Sequence, residues 1–404
     1  MTVGPAPGKA IPRIRRGRDF ADDHALARFY AGLAPVARTP LGPYIALRYR
    51  HAGLLTNPET TRQMELETLR LQGVKSGPLF ELFANGMLFS NGAAHKRHRG
   101  PVVKTFAFKI MEAMRGEIAA RAAGAVEARL GAGPIDFLNE IAGAIPADII
   151  ARILGVPAAD TPQFARWVYS GIRGLAIHDP GKRAEIERDL QSLVDYVQGL
   201  IDARRRRPQD DFLTHYVGAA DEAGEMTLAE IRTQIAGLIL AGADTTRIAI
   251  CSTLSQLLQH KEQWRALCHD PNGLKRRAAE EGLRYDPVVG AIPRVALVDL
   301  DFDGHVVPAG SIVALSLLSA LRDPEVYADP DRFDIFRDDH PKWHLAFGAG
   351  AHRCLGEALA RAELEETIAA IARLAPNTAL VGPPPRLAGQ HAVRAVDRMQ
   401  VAFA

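Results

Sequence analysis

The sequence predicts a mainly α-helical fold with a small minor β region in a single domain, and three observations carry this. Long runs rich in Ala, Leu, Glu and Arg place apolar residues three and four apart, the period of an amphipathic helix. Alternating, β-branched stretches are few and short. No internal repeat or low-complexity linker divides the chain, and 47% hydrophobic residues over 404 positions suffice for one large core.

In chain order, residues 1–45 are rich in Pro and Gly and read as an irregular N-terminal segment. Helices are expected over residues 109–130, 135–154, 182–207, 228–258, 261–270, 274–285 and 355–374. Strands are expected over residues 44–48, 295–300, 306–307 and 312–317, the last two flanking the turn Pro308-Ala309-Gly310. About thirty residues follow the last helix, too few for a second domain.

Composition excludes several classes. A net charge of +2 demands no nucleic-acid partner. The N-terminus lacks the apolar core of a secretory signal, and the apolar run IAGLILAGA at residues 235–243 is too short to span a bilayer. A cytoplasmic protein, with no membrane partner, is expected. Three scattered cysteines, Cys251, Cys268 and Cys354, suit a reducing compartment and lack the spacing of a structural zinc site.

Three stretches carry chemistry. In FGAGAHRCLGEALA, residues 347–360, Cys354 precedes a helix start, where free N–H groups favour a thiolate. Gly348, Gly350 and Gly356 remove side chains that would block a flat ligand, and His352 and Arg353 offer cations to its acidic groups. In the helix over residues 228–258, Gly237, Ala241 and Thr245 recur every four residues and form one nearly bare face. Gly242 and the threonines weaken that helix, and a threonine hydroxyl can bond back to a carbonyl. Asp244 and Thr245 set an acid beside an alcohol, which suits proton delivery. In AAEEGLRYDP, residues 278–287, Glu281 and Arg284 share a helix face and can pair.

The pattern F-G-x-G-x-H-x-C-x-G, met by Phe347, Gly348, Gly350, His352, Cys354 and Gly356, resembles the haem-binding signature of the cytochrome P450 family. AGADTT at residues 241–246 resembles the family's oxygen-activation motif, Glu281-x-x-Arg284 its E-x-x-R pair, and RDPEVYADPDRFDIFR at residues 322–337 the run before its cysteine loop. The resemblance covers nearly the whole chain. It implies a single-domain P450 fold, with haem b between the long distal helix and the proximal cysteine loop.

It also implies roles. Cys354 would be the axial iron ligand, and His95, Arg99, Arg294 and His352 would meet the propionates. Ala241, Phe347, Gly348 and Gly356 would pack on the haem. Asp244 and Thr245 would relay protons, and Arg332 would join Glu281 and Arg284 in a buried lock. The expected activity is monooxygenation of a small to medium hydrophobic substrate by O2. Electrons would come from NAD(P)H through an external reductase and a 2Fe-2S ferredoxin, since no reductase domain is fused. The enzyme is expected to be a monomer. A docking face is expected at Lys96, Arg97, Lys104, Lys109 and Arg115, and a pocket at Leu79, Phe80, Phe83, Gly237, Leu240, Ala241, Gly290, Ile292 and Val393. Desaturation or oxidative coupling are alternative outcomes of the same chemistry. A haem sensor without turnover is disfavoured by the acid–alcohol pair.

Overall fold

The computed structural model describes residues 8–15, 20–106, 114–175 and 178–403. Helices are α1 (Asp23–Leu33), α2 (Glu67–Leu71), α3 (Pro78–Asn85), α4 (Gly92–Thr105), α5 (Arg115–Glu127), α6 (Ala144–Ile153), α7 (Thr161–Ile172), α8 (Arg183–Arg206), α9 (Phe212–Ala223), α10 (Leu228–Gln259), α11 (Lys261–His269), α12 (Pro271–Tyr285), α13 (Leu317–Ala320) and α14 (Glu357–Leu374). Strands are β1 (Val36–Arg38), β2 (Tyr44–Ala46), β3 (Thr61–Arg62), β4 (Pro134–Asp136), β5 (Ala291–Ala296), β6 (Leu300–Phe302), β7 (His305–Val307), β8 (Ile312–Ser316), β9 (Ala379–Leu380), β10 (Leu387–Ala388), β11 (Ala395–Val396) and β12 (Gln400–Ala402).

The long helix α10 organises the helical part. Its start is closed by a capping box: Thr227 accepts from the Glu230 amide, and Glu230 accepts from the Thr227 amide. The same Glu230 carboxylate accepts from Arg97 at 2.7 Å and bonds His98 at 3.0 Å, which ties α4 to the start of α10. By length and composition α10 could cross a membrane, yet most of its apolar window is buried inside the fold. It packs on α3, α6, α7, α8, α12 and α14. The main sheet has the order β1-β2-β8-β5-β3, parallel only between β2 and β8.

Three expectations are corrected here. The segment over residues 1–45 is not wholly irregular. Asp22 caps α1 by accepting from the Ala25 amide at 2.7 Å, and Ala27, Tyr30 and Ala31 bury one face of that helix. The helix expected from residue 135 starts a little later, as a π-helical segment over Leu138–Ala142 that leads into α6, because Ile135 pairs with Val401 across β4 and β12. That partner lies at the far end of the chain, beyond the reach of local periodicity. Of the strand expected over residues 295–300, only Val295 and Ala296 lie in β5, which starts at Ala291 and includes Arg294, and Leu300 opens β6. Of the helix expected over residues 109–130, residues 109–113 lie outside the described residues, and the rest matches α5.

The pair on α12 is fully buried, with Arg284 Nε 2.7 Å from Glu281 Oε2 and Nη2 2.8 Å from Oε1. Arg284 also donates to the carbonyls of Leu321, Pro330 and Arg332, and so holds the segment leading to the cysteine loop. Its third member is Arg337 and not Arg332. Arg337 Nε lies 3.0 Å from Glu281 Oε2 with its side chain buried. The Arg332 side chain is 67% exposed and reaches only Asp334, so the chain bends there to present its carbonyl to Arg284 and its guanidinium to water.

A second buried acid had no sequence signal. Glu363 on α14 is buried beside the Thr246 hydroxyl of α10, and its Oε1 has no partner. Burial pushes its pKa up from the ordinary 4.5 to about 8, against the lowering effect of the Thr246 hydrogen bond.

Two stability measurements follow. In urea unfolding, Arg337→Ala is expected to cost about 1.5–3 kcal/mol, whereas Arg332→Ala stays within about 0.5 kcal/mol; the reverse order would restore Arg332 to the lock. A raised carboxyl pKa means that folding favours the protonated form, so Glu363 contributes fully below pH 4.5 and loses that contribution as pH rises through about 8. Glu363→Gln should therefore match the parent Tm near pH 5 and exceed it above pH 8; equal Tm values across that window would contradict the buried neutral acid.

Candidate functional site

The cysteine loop is built by close backbone crossings. Gly350 sits at φ +70°, and a Cβ there would lie 2.5 Å from the Leu55 carbonyl oxygen. Its missing side chain thus admits the 55–56 backbone and not a ligand, which corrects the role expected for it. Gly348 is also at φ +70°, with Ile292 Cδ1 3.6 Å from where a Cβ would stand. Gly356 faces open space, as expected of a clearance residue. The Cys354 amide donates to the Phe347 carbonyl at 2.9 Å, closing the loop.

Arg353 does not point at a ligand. It donates to the Gly348 carbonyl at 2.7 Å, pairs with Glu357 at 2.7 Å and lies over the Trp343 ring, so it braces the loop from behind.

Cys354 is solvent-accessible yet densely surrounded by protein atoms, so its sulfur opens onto an internal cleft. Burial raises the thiol pKa, and Glu357 adds to this; the Gly356 amide, Arg99 and Arg353 oppose it. The helix start therefore helps the thiolate without prevailing on its own.

Four groups share this cleft. His95 and Arg99 come from α4, Arg294 from β5 and His352 from the cysteine loop. The His95 and His352 rings have centroids 4.0 Å apart. His95 Nε2 and His352 Nδ1 have no hydrogen-bond partner. Arg294 donates to Gln63 Oε1 and to the Pro293 carbonyl, and Arg99 donates to the Arg353 carbonyl at 2.6 Å. Among the described residues, no carboxylate pairs with any of the four.

The electrostatic effect is consistent. Burial, then Arg99 and His98, push His95 down to about 4. Burial, then His95, Arg294 and Arg99, push His352 down to about 3, and burial lowers Arg294 to about 10. Two arginines without an answering anion, beside two neutral imidazoles with free donor or acceptor nitrogens, fit a ligand that brings carboxylates of its own. With a single thiol opening onto the same cleft, the donor set fits a haem with two propionates.

Opposite runs α10. Between Gln234 and Thr246 its accessible residues are Gly237, Leu238, Ala241, Gly242, Asp244 and Thr245, with Ala241 the most open. A Cβ on Gly237 would meet nothing within 4 Å, so the face is bare as expected. Thr245 Oγ1 donates to the Ala241 carbonyl at 2.8 Å and Thr246 Oγ1 to the Gly242 carbonyl at 3.0 Å, while the helix stays continuous.

Asp244 is not free beside Thr245. It pairs with Arg247 one turn on, at 2.8 Å from Nε. Arg247 lies over the Tyr169 ring at 4.7 Å, and Tyr169 donates to the Gly143 carbonyl at 2.8 Å.

The expected pocket divides. Phe80, Gly237, Ala241, Ile292 and Val393 are accessible. Leu79 is fully buried, Phe83 stacks on Phe89 at 3.7 Å, and Leu240 packs against Gly171, so these three belong to the core. Leu240 is one position, about 100°, round the helix from Ala241; Leu238 takes the accessible place instead. Gly290 lines no cavity wall, because a Cβ there would stand 2.8 Å from the backbone of residues 389–390.

The expected docking face is also reduced. Arg97 is held by Glu230, and Arg115 by Glu365 and Glu366. Lys109 lies outside the described residues, and Lys96 and Lys104 remain exposed.

A family model for cytochrome P450 matches residues 172–270 and 275–373. The chain is 40% identical over 385 residues to cytochrome P450-pinF1, plant-inducible, of Rhizobium radiobacter, covering 94% of this chain and 90% of that one. It is 33% identical to cytochrome P450 monooxygenase PikC of Streptomyces venezuelae, over 90% of this chain and 86% of that one. The solved structure of P450BioI, in complex with acyl carrier protein ligated to hexadec-9Z-enoic acid, matches with a TM-score of 0.85 at 27% identity, over 94% and 98% of the two chains. Likeness along nine-tenths of the length, joined to a thiol cleft lined with unanswered cations, makes this chain a member of the cytochrome P450 family and an oxidoreductase of its monooxygenase class.

Proposed function

We propose that the chain inserts one oxygen atom of O2 into a C–H bond of a small to medium hydrophobic substrate, using haem b and electrons from NAD(P)H through an external reductase and a 2Fe-2S ferredoxin. The observation that carries this reading is the single thiol of Cys354 opening onto a cleft with two arginines that meet no carboxylate, Arg99 and Arg294, and two neutral imidazoles with unpartnered nitrogens, His95 and His352. Cys354 would hold the iron, and His95, Arg99, Arg294 and His352 the propionates. When bound, the haem activates dioxygen, with the thiolate pushing electron density toward the iron.

The chain's own part is positioning and proton handling. Thr245 is the hydroxyl that meets the cleft, and its proton rests on the Ala241 carbonyl. Turning that hydroxyl inward exchanges one hydrogen bond for another and offers a proton on the bare face of α10. Asp244 supplies the Thr245 side with protons only after parting from Arg247. The lining supports an apolar substrate, since Leu238, Ile292 and Val393 are accessible there; the acyl ligand of P450BioI has the same character. Lys96 and Lys104 support docking of an acidic ferredoxin, a contact weakened by salt. A cytoplasmic monomer suits these parts.

Two variants test the reading. Cys354→His should abolish the strongly red-shifted absorption band of the reduced carbon monoxide complex, and its persistence would remove Cys354 as ligand. Thr245→Ala should retain haem yet divert electrons from product to hydrogen peroxide; an unchanged peroxide share would remove Thr245 from proton delivery.

A further inference from the structure

The strand β5 leads from the cationic cluster along the cleft. Ile292 and Arg294 share one face of β5, and Gly290 immediately precedes the strand. Arg294 stands with His95, Arg99 and His352, and Ile292 reaches the cysteine loop at Gly348. Four residues back from Arg294, about 13 Å along the strand, the backbone of residues 389–393 crosses over Gly290. The Gly290 amide donates to the Ala392 carbonyl at 2.8 Å, and Val289 forms a bridge with Val393. This turn presents Val393, which is 39% exposed, next to Val289, five residues before Arg294 in the chain.

The turn is not self-supporting. Ala392 sits at φ +49°, a region that side chains disfavour. Two anchors hold it from outside, and both come from the first turn of α1. The Asp23 carboxylate accepts from the Gly389 amide at 2.9 Å and from Gln390 Nε2 at 3.2 Å. His24, buried, bonds Asp286 at 3.0 Å; Asp286 pairs with Arg394, which donates to the Leu387 carbonyl at 2.8 Å and to the Pro287 carbonyl at 3.2 Å. The Arg394 anchor fixes the base of the turn, and Asp23 fixes its tip.

We propose that Asp23 is a positioning residue for ligand recognition: by holding the Gly389 amide and the Gln390 side chain, it sets where Val393 stands beside Val289, and so how bulky a ligand the cleft admits. The N-terminal helix thereby shapes a wall it does not itself line. The proposal rests on the haem reading above, since the cleft is defined by it.

The test uses the purified holoprotein and two probes that bind ferric haem through a nitrogen, imidazole and the bulkier 4-phenylimidazole, titrated by absorption. Asp23→Ala should weaken 4-phenylimidazole at least ~fivefold, about 1 kcal/mol, while imidazole stays within about twofold. Asp23→Asn keeps one acceptor oxygen and should fall between parent and Asp23→Ala. Gln390→Ala, which leaves α1 intact, should shift the ratio of the two constants in the same direction by less. A parent that shows azole shifts, with the ratio unchanged in Asp23→Ala, overturns the positioning role alone. A parent with no azole shift overturns the haem reading and this proposal with it.

Discussion

A buried positive charge without an answering carboxylate costs several kcal/mol, and this fold places Arg99 and Arg294 around one cleft in that condition, beside the imidazoles of His95 and His352, which burial and the arginines hold neutral. Their origins are distant in sequence: α4, β5 and the cysteine loop. Each element must therefore be fixed from behind. Glu230 grips α4 through Arg97 and His98. The cysteine loop is braced by Arg353 and by the Gly350 crossing over Leu55. β5 is held by pairing on both sides, to β8 and to β3.

The contrast with the rest of the buried charge is informative. Glu281 answers Arg284 and Arg337, and Asp286 answers His24 and Arg394. The fold thus pairs buried cations wherever structure alone requires them. It leaves the cleft's cations open, where a ligand with two carboxylates completes them. On α10, Arg247 neutralises Asp244, so the acid and the alcohol are separate until that pair opens.

Much of this was legible because the residues lie close in sequence or fit a spaced pattern. The cysteine loop, the bare face at Gly237, Ala241 and Thr245, and the Glu281–Arg284 pair all follow from local geometry. What stayed hidden depends on partners far along the chain. Arg337 and Arg332 are both basic residues in one short run, and only the bend at the Arg284 contacts separates their roles. β4 cannot be read without β12, and Glu363 looks like an ordinary helix glutamate until Thr246 closes over it. Gly290 reads as a pocket residue and Gly350 as ligand clearance, whereas the neighbour each one admits is another stretch of backbone.

The most direct test is the affinity of the apoprotein for iron protoporphyrin IX against its dimethyl ester, which keeps the ring and iron and removes both carboxylate charges. Two lost charge-assisted contacts, about 1.5–3 kcal/mol each, predict binding of the ester weaker by ~100-fold or more. Equal affinity for the two would contradict a cationic cluster built to receive propionates.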